Sequence, residues 1–283
     1  MNRPIPGERF FRLVRIGRPL VIAHRGASAS APENTIPAFV RGIADGADIV
    51  EMDLHLTKDG VPVVCHDATV DRTTNGKGFI NALTLGEIKK LDAGYRFTPD
   101  GGKTFPFRGQ GITIPTLSEA LTALPDQSVM IEVKVSSQRM LSELVKVIRQ
   151  HDCFDRVSIE VFAMKGKMVH RLRRMEPRLL TGHSTAEIIR FLVLSRVGLW
   201  RRFRRRGFAL EIPPCRRRTT VASKAVIANA WRRGIPVFIW TINDESQMQR
   251  FLNMGASGLF TDKPAVLRKL VDSGRWQGFI KRA

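Results

Sequence analysis

The chain has 283 residues, 43% of them hydrophobic and 25% charged, which is the balance of an ordinary globular protein long enough to bury a large core. Such a balance excludes a disordered, collagen-like or disulfide-stapled chain, and no stretch reaches the roughly 18 uncharged apolar residues that a membrane span needs. Lysine plus arginine (46) exceed aspartate plus glutamate (26) by 20, a surplus that points to anionic partners such as nucleic acid, an anionic membrane surface or phosphorylated substrates.

Residues 1–18 are basic but hold no apolar segment ahead of a small-residue cleavage site, so no secretory signal is read there. Eight short apolar runs then follow, each ending on a polar or special residue: Leu20–Ala23 before His24, 48–50 before Glu51, and 129–131 before Glu132. The series continues with 157–159 before Glu160, 178–180 before Thr181, 208–210 before Glu211, 236–239 before Trp240 and 258–260 before Thr261. Continuous apolar runs read as buried parallel strands. Helical patterns lie between them at 34–44, 117–124, 139–150, 165–175, 221–232, 246–253 and 265–271. Eight alternating units predict an α/β fold, a single (β/α)8 barrel of the TIM type. One interval is too long for a βα unit. It opens with a hairpin signal at Asp59-Gly60 and continues as a Gly/Thr/Asn-rich lobe with a short helix near 85–91. The expectation is one domain over 1–283, core 19–272, with an insertion at about 67–113 on the catalytic face. Cys65, Cys153 and Cys215 are odd in number and far apart, which implies neither disulfides nor a zinc site and suits a reducing compartment.

Residues at the C-terminal ends of barrel strands face the active site. Glu51 and Asp53, two apart, share one face of a strand, and Glu132 joins them from the next strand. Two carboxylates about 4 Å apart repel by roughly 4 kcal/mol at an effective dielectric near 20, which a cation, a proton or a basic partner relieves. Three oxygen donors without a thiolate favour one hard divalent cation, Mg2+ or Ca2+. A two-residue turn at Asp59-Gly60 pairs Asp53 with His66, and a longer loop pairs Glu51 with it. Both registers put His66 on the carboxylate face, short of a bulge. His24 and His66 then converge on one acidic cluster, as general acid–base hydrolysis requires.

His24-Arg25-Gly26, Pro32-Glu33-Asn34-Thr35, Glu51-x-Asp53, Thr57-Lys58-Asp59-Gly60, His66-Asp67 and Asp71-Arg72-Thr73-Thr74 together resemble the glycerophosphodiester phosphodiesterase family. So do Leu91-Asp92-Ala93-Gly94, Ile114-Pro115-Thr116-Leu117, Ile131-Glu132-Val133-Lys134, Trp240-Thr241-Ile242-Asn243 and Thr261-Asp262-Lys263-Pro264. The resemblance implies a (β/α)8 barrel with a small insertion and a divalent metal held at Glu51, Asp53 and Glu132. It implies acid and base at His24 and His66, phosphate contacts from Arg25 and Lys134, and an apolar wall from Trp240. Which histidine is acid, and whether water or a substrate hydroxyl attacks, stays open. At one strand-end motif Val161-Phe162 stands where the family usually carries Ser-Phe.

Other residues carry plainer expectations. His55 is read as peripheral, His151, His170 and His183 as surface or loop residues, and the Asn34 region as the cap of the first helix. Gly26 is expected to turn tightly or pass close to substrate. Glu160 and Glu211 belong either to the site or to satisfied buried networks, and Trp240 also suits rim packing. The segment 186–206, from Ala186 to Arg206, carries apolar residues at helical spacing and seven arginines. It is either a barrel helix or a docking helix for an anionic membrane surface. The predicted activity is hydrolysis of glycerophosphodiesters to glycerol 3-phosphate and an alcohol, on a small-molecule or lysolipid substrate. The alternatives are a membrane-surface lysophospholipase D using the same site and, further off, a nucleic-acid-binding protein, for which no recognition motif is present. The expected location is cytoplasmic, either free or peripheral on the inner face of the membrane, and the oligomeric state is undetermined.

Overall fold

The computed structural model describes residues 5–161, 164, 166–217 and 219–278; Phe162, of the departing motif, and Lys165 lie outside them. The apolar runs become β1 (Leu20–Ala23), β2 (Ile49–Leu56), β3 (Pro62–Val64), β4 (Ser128–Val133), β5 (Val157–Glu160) and β6 (Leu180–Thr181). They continue as β7 (Leu210–Ile212), the small hairpin β8 (Cys215–Arg216) and β9 (Thr219–Thr220), β10 (Val237–Ile239) and β11 (Gly258–Thr261). Parallel pairing runs β6-β5-β4-β2-β1-β11-β10-β7, with β3 antiparallel on β2. Two backbone bonds join the ends of that path: Phe208 N–H donates to the Thr181 carbonyl (2.7 Å) and His183 N–H to the Ala209 carbonyl (3.3 Å). The approach is so close that a Cβ on Gly207 would lie 2.5 Å from the Gly182 carbonyl oxygen. The sheet is therefore a closed (β/α)8 barrel.

The helices are α1 (Glu8–Leu13), α2 (Ile36–Ala44), α3 (Leu85–Ile88), α4 (Leu117–Ala123), α5 (Gln138–Gln150), α6 (Gly166–Met175) and α7 (Thr185–Arg196). After them come α8 (Lys224–Trp231), α9 (Glu245–Met254) and α10 (Pro264–Asp272). Alternating positions of each barrel strand divide between two cores. Leu20, Ile22, Ile49, Met130, Phe238 and Phe260 fill the interior, while Val21, Met52, Leu54, Ile131 and Ile159 pack under the helices. α1 caps the end where the strands begin, driving Phe10 onto Phe208 with ring centroids 5.7 Å apart. The inserted lobe has a small core of its own, with Val70, Ile80 and Ile88 against Val63 and Cys65. No helix among the described residues is long and apolar enough to cross a membrane.

Two expectations need correction and a third needs refining. The hairpin pairs Leu54 with Val64, His55 with Val63 and Leu56 with Pro62, one residue away from either expected register. Thr57 causes the shift: its hydroxyl accepts from Val61 N–H (2.9 Å) and donates to Asp59 Oδ1 (2.5 Å), which widens the turn beyond Asp59-Gly60. Cys65 thus stands beside Asp53, donating its N–H to the Asp53 carbonyl (2.9 Å), and a regular strand would carry His66 to the opposite face. β3 instead ends at Val64, and the chain bends at His66.

The segment 186–206 is not one helix. α7 stops at Arg196, Gly198 takes φ of +75°, and a 3-10 turn spans Trp200–Arg202. Ile188, Phe191 and Phe203 are buried against the barrel, whereas Ile189, Val193 and Val197 are exposed, so the expected single stripe divides into an inward and an outward one. Finally, the Asn34 region does cap the first helix as expected, but through Thr35, whose hydroxyl accepts from Ala38 N–H, while Asn34 itself donates to Asp53.

Candidate active site

β2 presents Glu51 and Asp53 on one face because strand side chains alternate, and β4 lies beside it with Glu132 in register with Asp53. All three are buried, and each offers a carboxylate oxygen within 4.8 Å of the others. Glu51 Oε2 accepts the backbone N–H of Arg25 at 2.8 Å. Asp53 Oδ2 accepts from Asn34 Nδ2 (2.8 Å) and lies 3.3 Å from Arg25 Nε, while its Oδ1 is 2.9 Å from Lys134 Nζ. The same ammonium lies 2.6 Å from Glu132 Oε2. Arg25 and Asn34 achieve these contacts at φ of 56° and 57°, conformations that non-glycine residues rarely adopt and that cluster at functional sites.

Burial pushes the Glu51 carboxyl well above its ordinary range, and Asp53 and Glu132 push it further. Glu132 is also raised by burial, against the pull of Lys134. Asp53 goes the other way, because Lys134, Arg25 and Asn34 outweigh its burial. Fully ionised, the three buried carboxylates carry one more negative charge than Arg25 and Lys134 supply. The nearby Cys65 offers no thiolate, since burial pushes its thiol up to about 12. An all-oxygen donor set with surplus negative charge fits a hard divalent cation.

Two imidazoles flank this cluster in similar settings. His24, just past β1, directs Nδ1 to Asp262 Oδ1 at 2.7 Å. Asp262 stands just past β11 and is fixed by Ser28 Oγ (2.9 Å) and Asn243 Nδ2 (2.5 Å). Burial raises its pKa, but His24, Ser28 and Asn243 outweigh that and hold it below the ordinary value. His66 directs Nδ1 to Asp67 Oδ1 at 2.7 Å. The bond from Arg72 (Nε to Oδ2, 2.6 Å), more than any other cause, lowers Asp67 to about 2. Arg72 also grips both oxygens of Glu33 (2.6 and 2.7 Å), which in turn accepts from Arg25 NH1 at 3.0 Å. An ionised carboxylate only accepts, so each Nδ1 carries a proton and each Nε2 is the nitrogen left to exchange one. Burial lowers the His66 pKa, partly offset by Asp53 and Asp67.

This arrangement, two carboxylate-oriented imidazoles and an arginine–lysine pair around an oxygen-donor cluster, can hold and cleave a phosphoryl group. The family model for the glycerophosphoryl diester phosphodiesterase family matches residues 24–266. The chain belongs to that family. Membership places it among the phosphoric diester hydrolases. A glycerophosphodiester phosphodiesterase of Caldanaerobacter subterraneus is 36% identical over 269 residues, covering 90% of this chain and 98% of the relative. A lysophospholipase D of Rattus norvegicus is 25% identical and covers 89% of this chain and 86% of its own. A phosphodiesterase of Oleispira antarctica, solved with the product sn-glycerol-3-phosphate, superposes with a TM-score of 0.72 at 27% identity, covering 90% and 97% of the two chains.

The residues picked out from the sequence of this family member do gather at one end of the barrel: Glu51, Asp53, Glu132, Lys134 and Arg25 linked by hydrogen bonds and ion pairs, His24 and His66 beside them, and Trp240 lining a cavity with Glu211. The expectations for several neighbours do not hold. His55 is not peripheral: it is buried, and its Nε2 meets the His66 carbonyl at 3.1 Å, pinning the bend. His183 is a loop residue, between β6 and α7, but not a surface one: it is fully buried, with Nδ1 on the Ala209 carbonyl (2.8 Å) and Nε2 accepting Gly207 N–H (3.3 Å). Gly26 does turn tightly, at φ of +82°, but what it approaches is α2, where a Cβ would lie 2.5 Å from the Ala38 carbonyl carbon. Glu160 and Glu211 are not satisfied buried groups, since Glu160 Oε1 and both Glu211 oxygens lack hydrogen-bond partners among the described residues. Asp262, Asp67, Arg72, Glu33 and Asn34 were assigned no site role from sequence. Asp262 carried a usable signal, because it follows the apolar run of a barrel strand as His24 does.

Proposed function

We propose that the protein hydrolyses glycerophosphodiesters to glycerol 3-phosphate and an alcohol by acid–base catalysis between His24 and His66. The observation that carries this reading is the pair of imidazoles at one carboxylate cluster, each with Nδ1 committed to an aspartate. One imidazole accepts the proton of the attacking hydroxyl as its oxygen bonds to phosphorus. The other protonates the alcohol oxygen as the opposite P–O bond breaks. Arg25 and Lys134 orient the phosphoryl oxygens, and Trp240 walls the substrate. Glu51, Asp53 and Glu132 hold one divalent cation, Mg2+ or Ca2+, which when bound supplies positive charge for the phosphoryl oxygens. The chain is read as one domain with core 19–272 and the lobe at about 67–113.

The test is release of glycerol 3-phosphate from glycerophosphocholine, first with EDTA and then with Mg2+ or Ca2+ restored. The expected result is turnover that returns with metal, is abolished by Glu51→Ala, and falls at least about 100-fold in both His24→Ala and His66→Ala. Full activity in either histidine variant overturns the assignment.

A second reading keeps the chemistry and changes the substrate to a lysophospholipid at a membrane surface, with the protein cytoplasmic and peripheral. The outward stripe Ile189, Val193 and Val197, set among exposed arginines, supports it. Lysophospholipid in anionic vesicles would then be turned over faster than soluble glycerophosphocholine. Nucleic acid has no role in either reading.

A further inference from the structure

A cavity of about 560 Å3 opens between α7, the β8–β9 hairpin and the barrel rim. Its walls are apolar, formed by Ile188, Leu192, Val221 and Trp240. Its inner end is polar. Glu211 lines it, 2% exposed and with both carboxylate oxygens unpartnered among the described residues, and burial, then the nearby Glu132 charge, push its carboxyl above the ordinary range. Its outer end is marked by Ile189, which also belongs to the exposed stripe of α7, and by the exposed Arg216 and Arg217.

An occupant of this cavity meets polar groups at depth, hydrocarbon along the walls and cationic side chains at the mouth. A soluble head group does not match that order, whereas a monoacyl glycerol unit drawn from an anionic lipid surface does. We propose that this cavity is an acyl-chain subsite, taking the hydrocarbon of a lysophospholipid whose glycerophosphodiester lies in the site described above. The proposal rests on the phosphodiesterase reading and deepens it by naming the substrate class and the wall that selects it. The arginine rim complements the anionic surface from which the lipid comes, and Ile189 joins that surface to the cavity. The bond cleaved is unchanged: the head-group P–O bond breaks, the attacking oxygen bonds to phosphorus, and the proton passes to the departing alcohol.

The test uses glycerophosphocholine and lysophosphatidylcholines of increasing chain length, each below its aggregation concentration, with the metal-loaded full chain. Each buried methylene raises kcat/KM by up to about fourfold, so wild type gains at least about tenfold from a six- to a ten-carbon chain. Leu192→Trp and Val221→Trp, on different elements, fill the cavity; both flatten that gain and change the glycerophosphocholine rate by less than about twofold. The chain-length series in wild type needs no variant, so a misfolded substitution leaves it decisive. Turnover of glycerophosphocholine with no chain-length gain in wild type overturns the subsite and leaves the phosphodiesterase reading intact. Turnover of neither substrate overturns both. A preference set by head-group charge, lost in Glu211→Gln and indifferent to chain length, assigns the cavity to a cationic alcohol and also overturns the proposal.

Discussion

Asp262 stands outside the trio of clustered carboxylates, yet it fixes which nitrogen of His24 is left to exchange a proton. In Asp262→Asn the amide can donate to Nδ1 and hold a proton on Nε2, so that nitrogen no longer cycles between accepting and giving one. The expected outcome is a fall in kcat of about 100- to 10,000-fold with KM little changed, read from steady-state kinetics alongside the pH–rate profile. His183 makes a different prediction. Burial holds its folded-state pKa below the ordinary 6.5, so the unfolded chain binds more protons as the solution is acidified. Its contribution to stability is complete above pH 6.5 and is lost as pH falls toward the folded-state value. Thermal melts at pH 7.5 and 5.5 will show a smaller drop in His183→Gln than in wild type. The two histidines show what a sequence gives at this scale. His24 was legible because a strand end and an acidic motif surrounded it. His183 was not, because its partners are main-chain groups of the segment leading into β7, 24 residues or more away, which no residue pattern announces.

Among the elements, the eight barrel strands were legible because full burial forces uninterrupted apolar runs. The register of the β2–β3 hairpin was misread because one hydroxyl, that of Thr57, reshaped the turn. α1 was not anticipated at all, since six residues carry too little periodicity to mark a helix. It is held by packing instead: Phe10 is completely buried among Leu20, Phe208 and Phe238. Phe10→Ala is expected to cost about 3–5 kcal/mol of unfolding free energy in a denaturant titration. Activity at 25 °C will stay close to wild type, because α1 plugs the end of the barrel away from the carboxylates. α7 shows the converse. Its spacing announced a stripe, but only tertiary structure separates the residues that face the barrel from those that face solvent.

Over the whole molecule, the surplus of 20 positive charges leaves the active site itself acidic at its centre, with much of the basic surplus on the outer surface. Arg190, Arg201, Arg202, Arg204, Arg205 and Arg206 are all exposed on α7 or just beyond it, with Arg205 also donating to the Gly207 and Gly234 carbonyls. Binding to phosphatidylserine-containing vesicles is therefore expected to weaken steeply between about 50 and 300 mM salt, where the Debye length shrinks below 10 Å. Val193→Asp will reduce the binding that persists at the higher salt, and cosedimentation measures both. Equal binding to neutral vesicles would remove the electrostatic part of this reading. Composition alone suggests an anionic partner, and on the membrane reading it is the exposed stripe of α7 that singles out a face for it.

The ring of strands is unevenly stitched. β2 and β4 share six paired positions, but β6 and β7 meet through the two backbone bonds at Thr181 and Ala209 among the described residues. Mechanical compliance in a closed ring concentrates at its shortest seam. Here that seam runs beneath α7 and beside Glu211, under the wall of the apolar cavity. If the cavity takes an acyl chain as proposed, a guest too large for it presses on the least-bonded seam of the ring, and discrimination by size is expected to decline gradually instead of stopping at a fixed length.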